Sequence, residues 1–213
     1  MLNMKQYKTI FFDWDNTLSN SLFWEQLADP SHPRHSQHNN IINFLFTKNK
    51  SLVRDWMRGK LDKEYIASLI SKEFGYSKNS IIDDLKISCK NMHFIDNSIL
   101  KLINKIRRKG INCVIATDNM DTFMEYTKPA LKLDNYFDDF LVSFNEKCLK
   151  FDTKDNSIPF FERYLNKKKL AYEDVILFDD CNDNSGTYKK LGFTILQIST
   201  FADLLKNLEK LAN

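Results

Sequence analysis

Apolar runs and helical periodicities alternate along this chain. Runs rich in Ile, Val, Leu and Phe at 7–13, 111–117, 139–144, 174–179 and 193–198 read as strands bounded by polar residues. Ile99, Leu100, Leu102, Ile103 and Ile106 recur at helical spacing. Arg107-Arg108-Lys109-Gly110 then closes that helix, with cations in the last turn and glycine beyond it. Further helices are read through Phe123 and Leu131, over 157–168 and 185–191, and from Phe201 onward. This alternation predicts an α/β fold, a Rossmann-like parallel sheet covered by helices.

The alternation breaks once. Between Ser19 and Phe94 the apolar residues follow helical spacing only, in Leu22, Phe23 and Leu27, in Ile41, Ile42, Phe44 and Leu45, and in Tyr65, Ile66, Leu69, Ile70 and Phe74. Asp29-Pro30-Ser31-His32-Pro33 reads as an internal loop and Gly75 as a helix stop. The predicted organisation is an α/β core over 1–18 and 95–213, with a helical insert over 19–94.

Three strands run from apolar residues into polar termini. The first is Ile10-Phe11-Phe12-Asp13-Trp14-Asp15-Asn16-Thr17, the second ends Ala116-Thr117-Asp118-Asn119, and the third ends Phe178-Asp179-Asp180-Cys181-Asn182. Parallel strands of this kind bring their carboxyl ends to one crevice, where ligands bind. If Asp13 ends its strand, Asp15 lies just beyond, and both carboxylates face one site. Buried and unpaired, each would cost roughly several kcal/mol. A hard divalent cation such as magnesium is the natural neutraliser of carboxylate oxygens. One aspartate can then act as a nucleophile while the other moves protons. The competing reading of this segment alone is a polar turn with an Asx-type cap.

Composition narrows the field. With 213 residues, 43% of them hydrophobic, the chain can build a real core. The formal charge of +3, from 31 basic and 28 acidic residues, is too balanced to predict nucleic-acid binding. Cys89, Cys113, Cys148 and Cys181 show no CxxC pair or metal-finger spacing. His32, His35 and His38, with His93 apart, sit in a Pro- and Ser-containing loop whose spacing argues against a transition-metal site. No apolar leader and no span of about 20 apolar residues is seen, so neither secretion nor membrane insertion is expected and the cytoplasm is the default.

Asp13-Trp14-Asp15-Asn16-Thr17 resembles the first motif of the haloacid dehalogenase-like (HAD) superfamily. Thr117 resembles its second motif and Asp179-Asp180-Cys181-Asn182-Asp183-Asn184 its fourth, with the order and spacing of the family along essentially the whole chain. The third motif, a lysine, has two candidates. Lys154 stands two residues before Asn156, a possible cap for the helix holding Ile158, Phe160, Phe161 and Leu165, and is favoured. Lys150, in Lys150-Phe151-Asp152, looks more like the family tripeptide but lacks its proline.

This resemblance implies a magnesium-dependent phosphatase acting on a small phosphorylated metabolite. Asp13 would attack phosphorus to give an aspartyl-phosphate, while Asp15 serves as acid and then base. Magnesium would lie between Asp13, the Asp15 carbonyl and Asp180, assisted by Asp179 or Asn184. Thr117, with Asp118 beside it, and Lys154 or Lys150 would hold the phosphoryl oxygens. The insert would be a cap closing over the site, with Trp24, Arg54 and Arg58 as substrate-binding candidates beside Trp56 and Lys60. The competing reading makes Trp24 and Trp56 cap core. Asp15 argues against the dehalogenase branch, which usually lacks it. A phosphosugar mutase using the same residues and a catalytically silent binding protein are the alternatives. A monomer or homodimer is expected.

Overall fold

The computed structural model describes residues 7–213, so the first six residues assigned to the core lie outside the described residues. Five strands, β1 (Thr9–Phe12), β2 (Asn112–Thr117), β3 (Asp139–Val142), β4 (Val175–Asp179) and β5 (Thr194–Gln197), form one parallel sheet in the order β3-β2-β1-β4-β5. β1 is central: Phe12 pairs with Ile115 of β2 and with Phe178 of β4. All four of its residues are buried, as expected of a strand covered on both faces.

Alternation along β1 divides two cores. Ile10 and Phe12 point to one, with Ile115 and Phe178 from the neighbouring strands and with Ile99, Ile103 and Ile106 of a helix over Ser98–Arg108. Phe11 points to the other, with Val114, Leu177 and Phe160, Phe161 and Tyr164 of a helix over Pro159–Lys168. There the Phe11 ring meets Phe161 at 4.8 Å and Tyr164 edge-on at 5.3 Å between centroids. Each such buried aromatic is worth about 1.5–3 kcal/mol over exposure.

Between β1 and β2 the chain is helical: α1 (His35–Ile42), continued as a widened turn over Asn43–Lys48, then α2 (Lys50–Met57), α3 (Lys63–Phe74) and α4 (Lys78–Asn91). Asp62 caps α3 by accepting from Tyr65 N, and Ser77 caps α4 through Ser80 N. Gly75 ends α3 at φ +72, where a side chain would be strained. The helix over Ser98–Arg108 is followed by Gly110 at φ +82, matching its sequence signature.

Several interactions fasten these helices to the sheet half. Asp121 accepts from the Trp56 indole at 2.9 Å and from Lys63 N at 3.1 Å, and Arg58 meets Asp152 in a two-pronged pair at 2.7 and 3.0 Å. Gly59, at φ +65, lies so close to the Phe144 carbonyl that an added Cβ would collide with it.

Some boundaries depart from the sequence reading. The run at 139–144 is a strand only to Val142, because Ser143–Glu146 turns into a short helix. The helix expected from 157 begins at Pro159, whose fixed φ suits a first helical position. Ile158, not Asn156, precedes it; Asn156 sits at φ +59 in a tight turn. Around Phe123 the helix is a widened turn over Phe123–Thr127, running into Lys128–Ala130, where Pro129 has no N–H to continue an ordinary ladder. Among the described residues no helix is long and apolar enough to cross a membrane.

Candidate active site

The carboxyl ends of β1, β2 and β4 converge. Asp13 extends β1 by one residue, its N–H donating to Phe178 O at 2.9 Å, and so stands level with Asp179 at the end of β4. Trp14 turns away into the core, fully buried against the edges of Phe94 and Phe123. The chain then folds tightly, with Leu18 N and Ser19 N both donating to Trp14 O and Asn16 in the left-handed region at φ 55. That turn returns Asp15 to the same crevice.

Lys150 joins these carboxylates. Its ammonium is 2.7 Å from Asp13 Oδ1 and 2.6 Å from Asp179 Oδ2, with only 3% of the residue exposed. The loop carrying it is pinned from both sides: Lys150 N donates to Asp118 Oδ1 at 2.9 Å, and Lys150 O accepts from the buried Tyr188 hydroxyl at 2.5 Å. Asp179 is completed by Cys181 N, which donates to its other oxygen at 2.8 Å. Lys154, favoured from sequence, is not at the site. It is exposed in a two-residue turn closed by reciprocal bonds with Ser157, and Asp155 and Asn156 both have positive φ.

Charge is out of balance here. Burial pushes the Asp13 carboxyl well above the ordinary aspartate value; Lys150 pulls it down and Asp179 pushes it up. Asp15, partly buried, is raised to about 6, chiefly by burial, with Lys150 opposing and Asp180 and Asp118 adding to the rise. Asp118 is likewise raised to about 6 by burial, against Lys150. Burial by itself would lower the Lys150 ammonium, but Asp13, Asp179 and Asp118 outweigh it and hold the proton more firmly than on an ordinary lysine. Four carboxylates, Asp13, Asp15, Asp118 and Asp179, thus share one cation, with Asp180 acting on Asp15 from beside them.

The remaining residues singled out from sequence fall as follows. Thr117 is fully buried at the end of β2 and its hydroxyl has no partner. The Asp118 carboxylate, grouped with the phosphate-binding residues from sequence, holds the backbone of Lys150 instead; a carboxylate would repel a phosphate. Asp180 is partly exposed and accepts from Asn16 Nδ2 at 3.2 Å, while Asn184 is exposed in the following loop. Cys181 is exposed rather than packed, and its thiol is pushed up to about 12 by partial burial and by Asp180 and Asp179.

Trp24, expected to bind substrate, is fully buried among the helices and donates to Ile81 O at 3.1 Å, leaving no free face. Arg58 is engaged by Asp152, and Arg54 is exposed. His32, His35 and His93 are occupied by Arg34 N, Leu27 O and Ser21 Oγ respectively. Sequence reasoning missed a cavity of about 300 Å³ beside Asp15, walled by His38, Ile42 and Phe46. Their spacing of four residues was the available signal, hidden because the adjacent Ile41 and Leu45 form the core stripe.

Lys150→Met is expected to destabilise the protein by about 3–5 kcal/mol, since it strands two buried carboxylates. Lys154→Ala should stay within about 0.5 kcal/mol of the native chain. Urea unfolding of both variants checks this, and equal losses would contradict the placement. A second expectation concerns pH. The folded Asp15 carboxyl, near 6, lies above its unfolded value of about 3.9, so the native state binds more protons in that interval and stability falls as pH rises through it. Without divalent cations, Asp15→Asn should match the native Tm below about pH 4 and exceed it by a few degrees above about pH 6. A pH-independent difference would contradict the assignment.

No protein-family model and no curated protein matches the chain. Solved structures do. A predicted HAD-like family hydrolase from Porphyromonas gingivalis superposes with a TM-score of 0.72 at 15% identity, covering 97% of this chain and 98% of that one. A HAD family enzyme from Bacteroides thetaiotaomicron, solved in complex with magnesium and inorganic phosphate, gives 0.60 at 13% identity over 90% and 93%. L-2-haloacid dehalogenase from Xanthobacter autotrophicus gives 0.64 at 11% over 95% and 82%. The chain therefore has the haloacid dehalogenase-like fold.

Proposed function

We propose that this protein is a magnesium-dependent phosphatase that hydrolyses a small phosphorylated metabolite through an aspartyl-phosphate on Asp13. The observation that carries the reading is the buried Lys150 ammonium 2.7 Å from Asp13, which favours the ionised, nucleophilic carboxylate where burial alone would protonate it. In the first half-reaction an Asp13 oxygen bonds to phosphorus as the ester bond breaks, and Asp15 gives its proton to the departing oxygen. In the second, Asp15 takes a proton from water, the water oxygen bonds to phosphorus, and the Asp13–phosphorus bond breaks to release phosphate. A carboxyl near 6 suits both duties close to neutral pH. The unpartnered Thr117 hydroxyl is a ready donor for a phosphoryl oxygen, and Lys150 supplies fixed positive charge.

The donor set fits magnesium. Asp13, Asp15 and Asp180 offer hard oxygen atoms in a carboxylate cluster that Lys150 alone does not neutralise. Asp179, tied to Lys150 and Cys181 N, supports the lysine rather than the ion. Magnesium held there by Asp13, Asp180 and the Asp15 carbonyl would offset the charge on the phosphoryl oxygens. The bound magnesium and phosphate of the Bacteroides thetaiotaomicron enzyme support this reading.

The dehalogenase neighbour raises the alternative of attack on carbon. Departure of a halide needs no acid, so Asp15 favours phosphoryl chemistry. In this reading the helices over 19–94 act as the cap, excluding water from the site.

Hydrolysis of p-nitrophenyl phosphate should require magnesium and stop on chelation. Asp13→Asn should abolish it, and Asp15→Asn should lower kcat by about 10²–10⁴-fold. Undiminished turnover by Asp13→Asn would overturn the reading.

A further inference from the structure

The cavity beside Asp15 has a chemical character of its own. Asp15 forms part of its wall, so in the proposed reaction the alcohol that leaves phosphorus is the part of the substrate placed there. His38, Ile42 and Phe46 also line it, spaced at four-residue intervals along α1 and its widened continuation, so that they form one stripe. Phe23 completes an aromatic wall: its ring lies parallel to that of Phe46, 6° apart in plane and 6.1 Å between centroids. At the mouth Leu22 leaves 55% of its surface exposed, among the few large apolar side chains so exposed in the described residues.

Polar character is confined to small neutral groups, to Asp15 and to His38. The His38 Nε2 atom is buried without a partner. Its Nδ1 lies 3.5 Å from the Asn39 carboxamide oxygen. Among the described residues no lysine or arginine lines the cavity. A second anionic group on the substrate would meet the Asp15 carboxylate there with no cation to receive it, and would give up its hydration against Phe23, Ile42 and Phe46.

We infer that the substrate is the phosphate monoester of an uncharged, largely apolar alcohol of about one ring in size, its body lying between Leu22, Phe23, Ile42 and Phe46. Phosphorylated acids and sugar bisphosphates are excluded from this cavity by chemistry rather than by size. This inference rests on the phosphatase reading for the identity of the leaving group, while the character of the cavity stands apart from it.

The test compares benzyl phosphate with 2-phosphoglycolate in magnesium, and benzyl alcohol with glycolate as non-reacting ligands followed by saturation-transfer NMR. Benzyl phosphate should have at least about tenfold higher kcat/KM, and Phe46→Ala should erase most of that ratio. Benzyl alcohol should receive saturation from the native protein and lose it in Phe46→Lys, while glycolate receives none. A preference for 2-phosphoglycolate, or a ratio unmoved by Phe46→Ala, would overturn the inference. If neither ester is hydrolysed, the phosphatase reading fails, and the NMR comparison still decides the ligand: glycolate contact without benzyl alcohol contact would overturn the inference.

Discussion

A single buried cation organises the crevice. Lys150 Nζ lies between Asp13 and Asp179, and without it two carboxylates would face each other across the ends of β1 and β4 in the interior. The desolvation of three charges is large, and their mutual attraction offsets it only with short, fixed contacts. The fold supplies that fixity through Asp118 and Tyr188, which hold the backbone of Lys150 at its N–H and its carbonyl. Phe151 then packs on Tyr188 with centroids 5.3 Å apart, so the loop is anchored by packing as well. The electrostatics of the site thus depend on the aromatic core that Phe11, Phe161, Tyr188 and Phe193 form on one face of the sheet.

Parallel pairing makes this economical in sequence. With β1 at the centre of the sheet, residues following Phe12 and Phe178 are adjacent whatever lies between them in the chain. The alternation of strand side chains then sends Asp13 to the crevice and Trp14 to the core, and the tight turn at Asn16 brings Asp15 back. The helices before β2 close the other side through Trp56 and Lys63 on Asp121 and through Arg58 on Asp152. These polar contacts lie on the sheet half's loops, and beside them the apolar interior of the helical segment, with Trp24, Trp56, Ile66 and Ile70 buried, is continuous with the core around Trp14 and Phe123.

Much of this was legible in the sequence, for identifiable reasons. The five strands carry dense apolar runs, and three end in polar residues that only a common crevice accommodates. What escaped was set by tertiary contacts. Lys150 and Lys154 are four residues apart; Asp155 and Asn156 adopt positive φ in the turn after Lys154, which leaves that lysine in solvent. Arg58 read as a substrate ligand because its partner Asp152 lies far along the chain. Trp24 read as one because aromatic residues serve cores and ligands equally well. The cavity stripe His38, Ile42 and Phe46 escaped because two apolar faces of one helix overlap in sequence, and only packing shows which one meets solvent.

The most direct test of the account is to trap the reaction on the protein. Asp15→Asn, incubated with p-nitrophenyl phosphate and magnesium, quenched in acid and mapped by mass spectrometry, should carry a phosphoryl group on Asp13. It should be released by hydroxylamine, as an acyl phosphate is. Release of nitrophenol with no label on Asp13, or with the label on another residue, would contradict the assignment of Asp13 as the nucleophile beside Lys150.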